Sequence, residues 1–433
     1  DTLYDALGGE DLSASEKMKF LIEDVRDHVV KQIYGQDLML EAITMSWFLP
    51  FVFRLGHHIQ ERVCPSVMIL GDTNVGKSTA TTKIMRHFGA GRTYSANSDP
   101  THAGLIGGNL STGYRMSFSW GILPGAHKAH LTLDEYNKLN LEIIGKLTNV
   151  LSSGVAERTT VNGPRKTKAW VRLLTLCNPR GERRLTSYHD PLQAALQVAG
   201  TVQDLGRFEY VFIQQQLPHK VLARYMRRHV EAERGHKYTR EVARYHLRWA
   251  WSLTMDTIHF EDVSKVFGRA LDVSDKFGAH TLMLPAQARF KVARIAAAYA
   301  TMLFSHDADM HLYVKNEHVE MAVKFYENIY GALIDQEKTG GGMAIMPDEL
   351  VMVLDRIVHF KRLRFLSMSD RWSQADLHDA LGVKNADLFI ECAQWHLGLI
   401  SRNSKWYFPK YDTFGIMIEE YINNRERRKL MEA

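Results

Sequence analysis

The sequence predicts an α/β chain: a parallel-sheet core built round a glycine-rich loop, then an α-helical lid, then a C-terminal winged-helix domain. Three observations predict it. An apolar run, Val67-Met68-Ile69-Leu70, leads directly into Gly71-Asp72-Thr73-Asn74-Val75-Gly76-Lys77-Ser78, and 79–88 reads as a helix leading out. Short apolar or β-branched runs then alternate with helical stretches, the pattern of a parallel sheet covered by helices. Near the C-terminus, helical segments are followed by two short strands about Asn403-Ser404, a winged helix-turn-helix outline.

Taken in order, residues 14–48 read as helices broken near Ile33-Tyr34-Gly35-Gln36. The Gly-x4-Gly-Lys-Ser pattern that follows is that of a phosphate-binding P-loop. Its glycines let the backbone wrap round an anion with successive N–H groups pointing inward. The N-terminus of the next helix adds partial positive charge. Gly71, Asp72, Thr73, Asn74, Val75, Gly76, Lys77, Ser78 and Thr79 are therefore candidate nucleotide-binding residues. Lys77 would neutralise the β- and γ-phosphates of ATP, and the Ser78 hydroxyl would ligate Mg²⁺. Further strands are expected at 92–95, 130–133, 171–176 and 210–213.

The strand at 130–133 runs into Asp134-Glu135, a Walker B arrangement. Asp134 would hold Mg²⁺ through water, and Glu135 would orient and deprotonate the attacking water. The strand at 171–176 runs into Cys177-Asn178-Pro179, where Asn178 could hydrogen-bond the γ-phosphate or that water; a turn-forming Asn-Pro is the bland alternative. In Leu205-Gly206-Arg207-Phe208-Glu209, Arg207 could reach a neighbouring subunit's γ-phosphate as an arginine finger. A surface salt bridge to Glu209 is its alternative.

Residues 1–220 are thus read as the ATPase core with its helical lead-in, and 221–335 as the lid, with Val292, Ile295, Ala296 and Tyr299 on one helical face. Within it, the basic stretch 224–248 is interleaved with Glu231, Glu233 and Glu241 and reads as a solvated helix face. Gln336-Glu337-Lys338-Thr339-Gly340-Gly341-Gly342, with Pro347 after it, is polar and glycine-rich, so 336–347 is the expected linker. Residues 348–433 form the winged helix and a basic tail, with helices starting at Ser373 and spanning 387–397.

These residues, in this order, resemble the ATPase core of the minichromosome maintenance (MCM) helicases, a branch of the AAA+ ATPases, over about residues 20–330. Ile33-Tyr34-Gly35-Gln36-Asp37 is similar to the helix entry of that core. Asp134-Glu135-Tyr136-Asn137-Lys138-Leu139 resembles the family's Asp-Glu-Phe-Asp-Lys-Met. Asn178-Pro179 matches its sensor 1, and Arg207-Phe208-Glu209 its arginine-finger Arg-Phe-Asp. Ala103 to Gly108 with Ser111 to Arg115 resembles the helix-2 insert hairpin. The segment 155–168, turning at Asn162-Gly163-Pro164, resembles the pre-sensor-1 hairpin. The resemblance implies a P-loop AAA+ core that binds ATP and Mg²⁺ and assembles into a homo-oligomeric, hexameric ring on single-stranded and forked DNA. Arg115, Arg165, Lys166 and Lys168 would grip DNA phosphates in the pore. The sensor-2 arginine aligns near Gln287 instead, with Arg289 or Arg294 as substitute; Arg294 is assigned to the nucleotide pocket. The expected recognition helix carries Asp387 and Glu391, a poor face for phosphate. A regulatory or partner-docking role, with a replication partner as one occupant, is therefore expected of the winged helix at least as much as DNA reading, for which only Arg402 and Lys405 of the wing are basic candidates.

Composition agrees with this reading without specifying it. The chain has 433 residues, 45% hydrophobic and 24% charged, so a large core needs no staples. Net charge is +5, which permits nucleic-acid binding without arguing for it. The three cysteines are widely spaced, which excludes a Cys-x-x-C site and points to a reducing compartment. No apolar run has transmembrane length, and no signal peptide is evident. An intracellular protein is expected, cytoplasmic or nucleoid-associated, or in the host compartment if viral or plasmid-borne. Beginning at Asp1, the sequence is expected to be part of something longer. The leading expectation is an ATP-hydrolysing DNA helicase. Two rivals remain open: an AAA+ remodeller of protein complexes, and an ATP-switched loader that docks a partner.

Overall fold

The computed structural model describes residues 2–339 and 348–425, apart from 8, 10–11, 32, 34, 61, 97–100, 113–114, 161–162, 189–190, 215–234, 279–281, 358–363, 367–370, 397–399, 410–417, 419–420 and 423–424. Five strands, β1 (Ser66–Gly71), β2 (Arg92–Ser95), β3 (His130–Asp134), β4 (Arg172–Cys177) and β5 (Tyr210–Gln214), form one parallel sheet. Their order across it is β5-β1-β4-β3-β2. Every residue of β1 and β4 is buried, because helices cover both faces of the central strands; their sequences accordingly run apolar without alternation. β2, at the edge, is half exposed. Leu70 pairs with Cys177 and Gly71 with Gln214, so the strands' C-terminal ends share one edge of the sheet.

The helix after the loop spans Lys77–Phe88 and so begins at Lys77 rather than Thr79. Lys77, Ala80, Thr81, Ile84, His87 and Phe88 are buried at helical spacing, which seats it on the sheet. Gly89 then closes it in the left-handed conformation.

By its contacts the chain divides into two compact units, 1–182 with 198–331, and 183–197 with 332–433. The helices expected as a separate lid (Arg240–Ser252, Val263–Phe277, Pro285–Met302 and the start of Asn316–Thr339) therefore belong to the same unit as the sheet. Nor is this region purely helical, since Ile258–Phe260 pairs in parallel with Leu312–Val314. The helix Pro285–Met302 is buried continuously over 291–302. Within it Arg294 is fully buried, ion-paired to the equally buried Glu209, and donates to the carbonyls of Phe51 (3.2 Å) and Arg62 (2.7 Å). The Tyr326 hydroxyl donates to Glu209 O (3.0 Å), and Tyr330 Oη accepts from Val211 N (3.1 Å). These bonds tie the helices to β5.

The second unit has its own core, including Leu350, Trp372, Leu377, Phe389, Ile400 and Tyr407. Helices Asp348–Asp355, Gln374–Leu381 and Val383–Ile390 surround it with a three-stranded antiparallel sheet of Trp372–Ser373, Trp406–Pro409 and Ile400–Asn403. Ser373 and Asp376 form the expected cap reciprocally, at 2.8 and 3.1 Å. The next helix starts at Val383, not Asp387, because the left-handed Gly382 turns the chain at once. Of the expected linker, 336–339 continues the helix Asn316–Thr339, and 340–347 lies outside the described residues.

A buried ion pair that loses one member leaves the other charge uncompensated. Glu209→Ala should therefore lower stability by about 3–5 kcal/mol in urea denaturation. Arg207→Ala, which breaks a partly exposed pair with Asp204, should cost under about 1 kcal/mol in the same assay.

Candidate functional site

The loop leaving β1 turns through two left-handed residues, Asn74 (φ 68°) and Gly76 (φ 89°). A Cβ at Gly76 would fall 2.5 Å from Ile33 Cδ1, so both conformation and space require glycine there. Lys77 opens the helix and folds its ammonium back over the loop. Nζ donates to Gly71 O (2.7 Å), Asp72 O (2.8 Å) and Asn178 Oδ1 (2.9 Å), matching three donors with three acceptors. Burial pushes the Lys77 pKa down to about 8, against the opposing pull of Cys177, Asp72, Asp134 and Glu135. Thr73, Asn74, Ser78 and Thr79 are exposed around it, while Val75 is buried beneath the loop.

Asp134 ends β3 half-buried, and its Oδ1 accepts the Glu135 N–H at 2.9 Å. Glu135 itself adopts a left-handed conformation (φ 59°, ψ 37°), uncommon for a residue with a side chain. Its carboxylate lies 2.5 Å from Lys138 Nζ, one helical turn on. Asn178, at the tip of β4, donates its N–H to Asn137 Oδ1 at 3.1 Å. Lys77, Asn178 and Asn137 thus link the ends of β1, β4 and β3 in one chain of hydrogen bonds. β4 separates β3 from β1, so Asp134 lies about 10 Å across the sheet from the loop strand. Asn137 and Lys138 were missed as site residues by sequence reasoning; the i,i+3 spacing of Lys138 from Glu135 was the available signal.

Arg207 lies at the other edge. It precedes β5, whose Gln214 pairs with Gly71, so it sits on the order of 20 Å down the strand direction from the loop. Its side chain is 38% exposed and bonds Asp204 at 2.9 Å, and its carbonyl accepts from Arg62. Glu209, the alternative partner, is buried against Arg294 instead. That burial also corrects the expectation for Arg294: its guanidinium is held in the core and is not presented to a nucleotide. Arg289 stacks on Phe290 (4.9 Å) and Phe267 (5.6 Å), and Gln287 Oε1 is buried.

Two hairpins extend the sheet's connections. Gly107–Thr112 pairs with Arg115–Trp120, and Val155–Thr160 with Gly163–Lys168. Thr160 pairs with Gly163 and Thr159 with Pro164, so Gly163 and Pro164 belong to the ladder rather than to the turn expected at 162–164; 161–162 lie outside the described residues. Arg115 is placed in its strand opposite Thr112, and its side chain lies outside the description. Arg165 sits opposite Arg158 and over the Phe118 ring (5.1 Å), joining the two hairpins. Arg158, which donates to His102 Nδ1 at 2.9 Å, was not anticipated. Lys166 pairs with Glu157 at 3.1 Å. Lys168 is opposite Val155 at the base of the hairpin, not at its tip.

In the second unit, Asp387 pairs with His378 (3.1 Å), Arg402 Nε donates to Ser404 O (3.2 Å), and Lys405 lies exposed in the turn between the two paired strands. Among the described residues no helix is long and apolar enough to cross a membrane. Compared with protein-family models and with curated proteins, the chain has no match.

Proposed function

We propose that this chain is an AAA+ ATPase of the MCM-like kind, a ring-forming motor that moves on single-stranded DNA and unwinds duplex during replication. One observation carries the reading: Lys77 Nζ is bonded at once to the loop carbonyls after β1 and to Asn178 at the tip of β4, with Asp134-Glu135 ending β3 beside them. The strand order β5-β1-β4-β3-β2 and the two hairpins, one after β2 and one before β4, support the same family.

ATP and Mg²⁺ fit these residues. The buried ammonium and the loop N–H groups suit a polyphosphate, and the exposed Ser78 with Asp134 offers hard oxygen ligands. When bound, ATP supplies the phosphoanhydride whose cleavage drives the motor. Lys77 exchanges its carbonyl acceptors for phosphate oxygens while Asn178 keeps it aligned. Glu135 takes the proton of the attacking water, and its left-handed backbone, over-determined by the bond to Asp134, aims the carboxylate. Lys138 pairs with that carboxylate. Arg207 is too far from its own chain's Lys77 to assist, and so serves the adjacent subunit's site in a head-to-tail ring. Arg158 and Arg165 on one face of the second hairpin, and Lys166 and Lys168 on the other, are the basic groups offered to DNA phosphates.

Single-stranded DNA is expected to raise ATP turnover severalfold in the assembled ring. No stimulation would favour a remodeller of protein complexes, the reading that the Lys166–Glu157 pair on the hairpin supports. For the shared site, mixing Arg207→Ala with Lys77→Ala subunits should restore turnover that neither variant has alone. Silence across all mixing ratios would remove Arg207 from the site.

A further inference from the structure

Away from the sheet edge, three segments converge on a cluster of histidines round one buried carboxylate. Asp24 ends the helix Ala14–Asp24 and is 6% exposed. His28 lies one turn on, with Nε2 3.9 Å from Asp24 Oδ1. His236 approaches from the segment that leads into the helix Arg240–Ser252, with Nδ1 3.0 Å from Asp24 Oδ2. The His28 and His236 rings are 4.9 Å apart. One donor atom from each of the three residues lies within 4.8 Å of the others.

The shorter separation is a hydrogen bond, and both are short enough for the atoms to share a small ion. Two ligands about 2.0–2.1 Å from one tetrahedral zinc lie roughly 3.4 Å apart. The observed 3.0 and 3.9 Å bracket that value. The carboxylate is oriented from behind, as metal-ligating carboxylates are: Lys237 N donates to Oδ1 (3.1 Å) and Tyr238 N to Oδ2 (3.2 Å). A second observation points the same way. His87, in the last turn of the P-loop helix, is 7% exposed, its ring lies 5.9 Å from that of His236, and its Nε2 has no hydrogen-bond partner.

We infer that Asp24, His28 and His236 form a binding site for a zinc-like divalent cation, with the His87 ring next to that of His236. Bound there, the ion would clasp the N-terminal helix to the segment entering the helical region, against the far end of the P-loop helix. Another Asp-His-His trio, His259, Asp307 and His311, offers a comparison on the surface. There His259 is exposed and Asp307 and His311 are half-buried, whereas Asp24 is 6% exposed.

The test uses the full chain, stripped with chelator and titrated with Zn²⁺ against a chromophoric competitor. One tight equivalent per chain is expected, weakened at least about tenfold by His28→Asn with His236→Asn and unchanged by His259→Asn with His311→Asn. Circular dichroism checks that each variant folds. On the wild-type chain, saturating Zn²⁺ should protect His28 and His236 from diethylpyrocarbonate, read by peptide mass spectrometry. Folded wild-type chain that takes up no zinc, binding that survives the His28/His236 change, or equal labelling of both histidines with and without zinc would each overturn the site.

Discussion

Parallel pairing of five strands, with β1 between β5 and β4, is the constraint from which the rest of the first unit follows. Parallel strands end together, so the register that sets Leu70 against Cys177 and Leu133 against Thr175 delivers the loop, Asn178 and Asp134-Glu135 to one edge. The same pairing sends the approach to β5, and Arg207 with it, to the opposite edge. A ligand at the C-terminal edge is the usual outcome in open α/β sheets. The separation of Arg207 from that edge is what makes a closed ring a chemical requirement of the proposed function.

Arg294 turns out to act at Arg207's end of the sheet. Its guanidinium neutralises Glu209 at the start of β5 and donates to the Arg62 carbonyl, while the Arg62 side chain donates to the Arg207 carbonyl. One buried charge thus anchors the segment that carries the exposed arginine. These acceptors offset part of the cost of desolvating Arg294, whose Nε stays without a partner, and its removal would loosen the Arg207 loop as well as the core. The helices of 240–331 are consequently part of the sheet's own unit, fastened through Glu209, Tyr326 and Tyr330.

Much of the sheet edge was legible in the sequence because its chemistry is local. Gly76, Lys77 and Ser78 have fixed spacing, and Asp134-Glu135 and Asn178-Pro179 each follow an apolar run directly. The Arg294–Glu209 pair was not legible, since its partners stand far apart in sequence and only packing shows that the arginine faces inward. An arginine within an alanine-rich helix reads as an available cation until the helix is found buried on all sides. Similar reasoning explains the hairpin: Asn-Gly is a strong turn signal, yet the ladder sets Gly163 opposite Thr160 and so takes it out of the turn. Asp24 and His28 stand one helical turn apart, but His87 and His236 are far from them in sequence, so the convergence is visible only in three dimensions.

Binding and turnover of MgATP, measured side by side on the assembled wild-type chain, Lys77→Ala and Glu135→Gln, test the central claim most directly. The account predicts that Lys77→Ala weakens binding at least about tenfold, because a charge-assisted contact to phosphate is lost. It predicts that Glu135→Gln binds as the wild type does while turnover falls about a hundredfold or more. Wild-type affinity in Lys77→Ala, or wild-type turnover in Glu135→Gln, would contradict it.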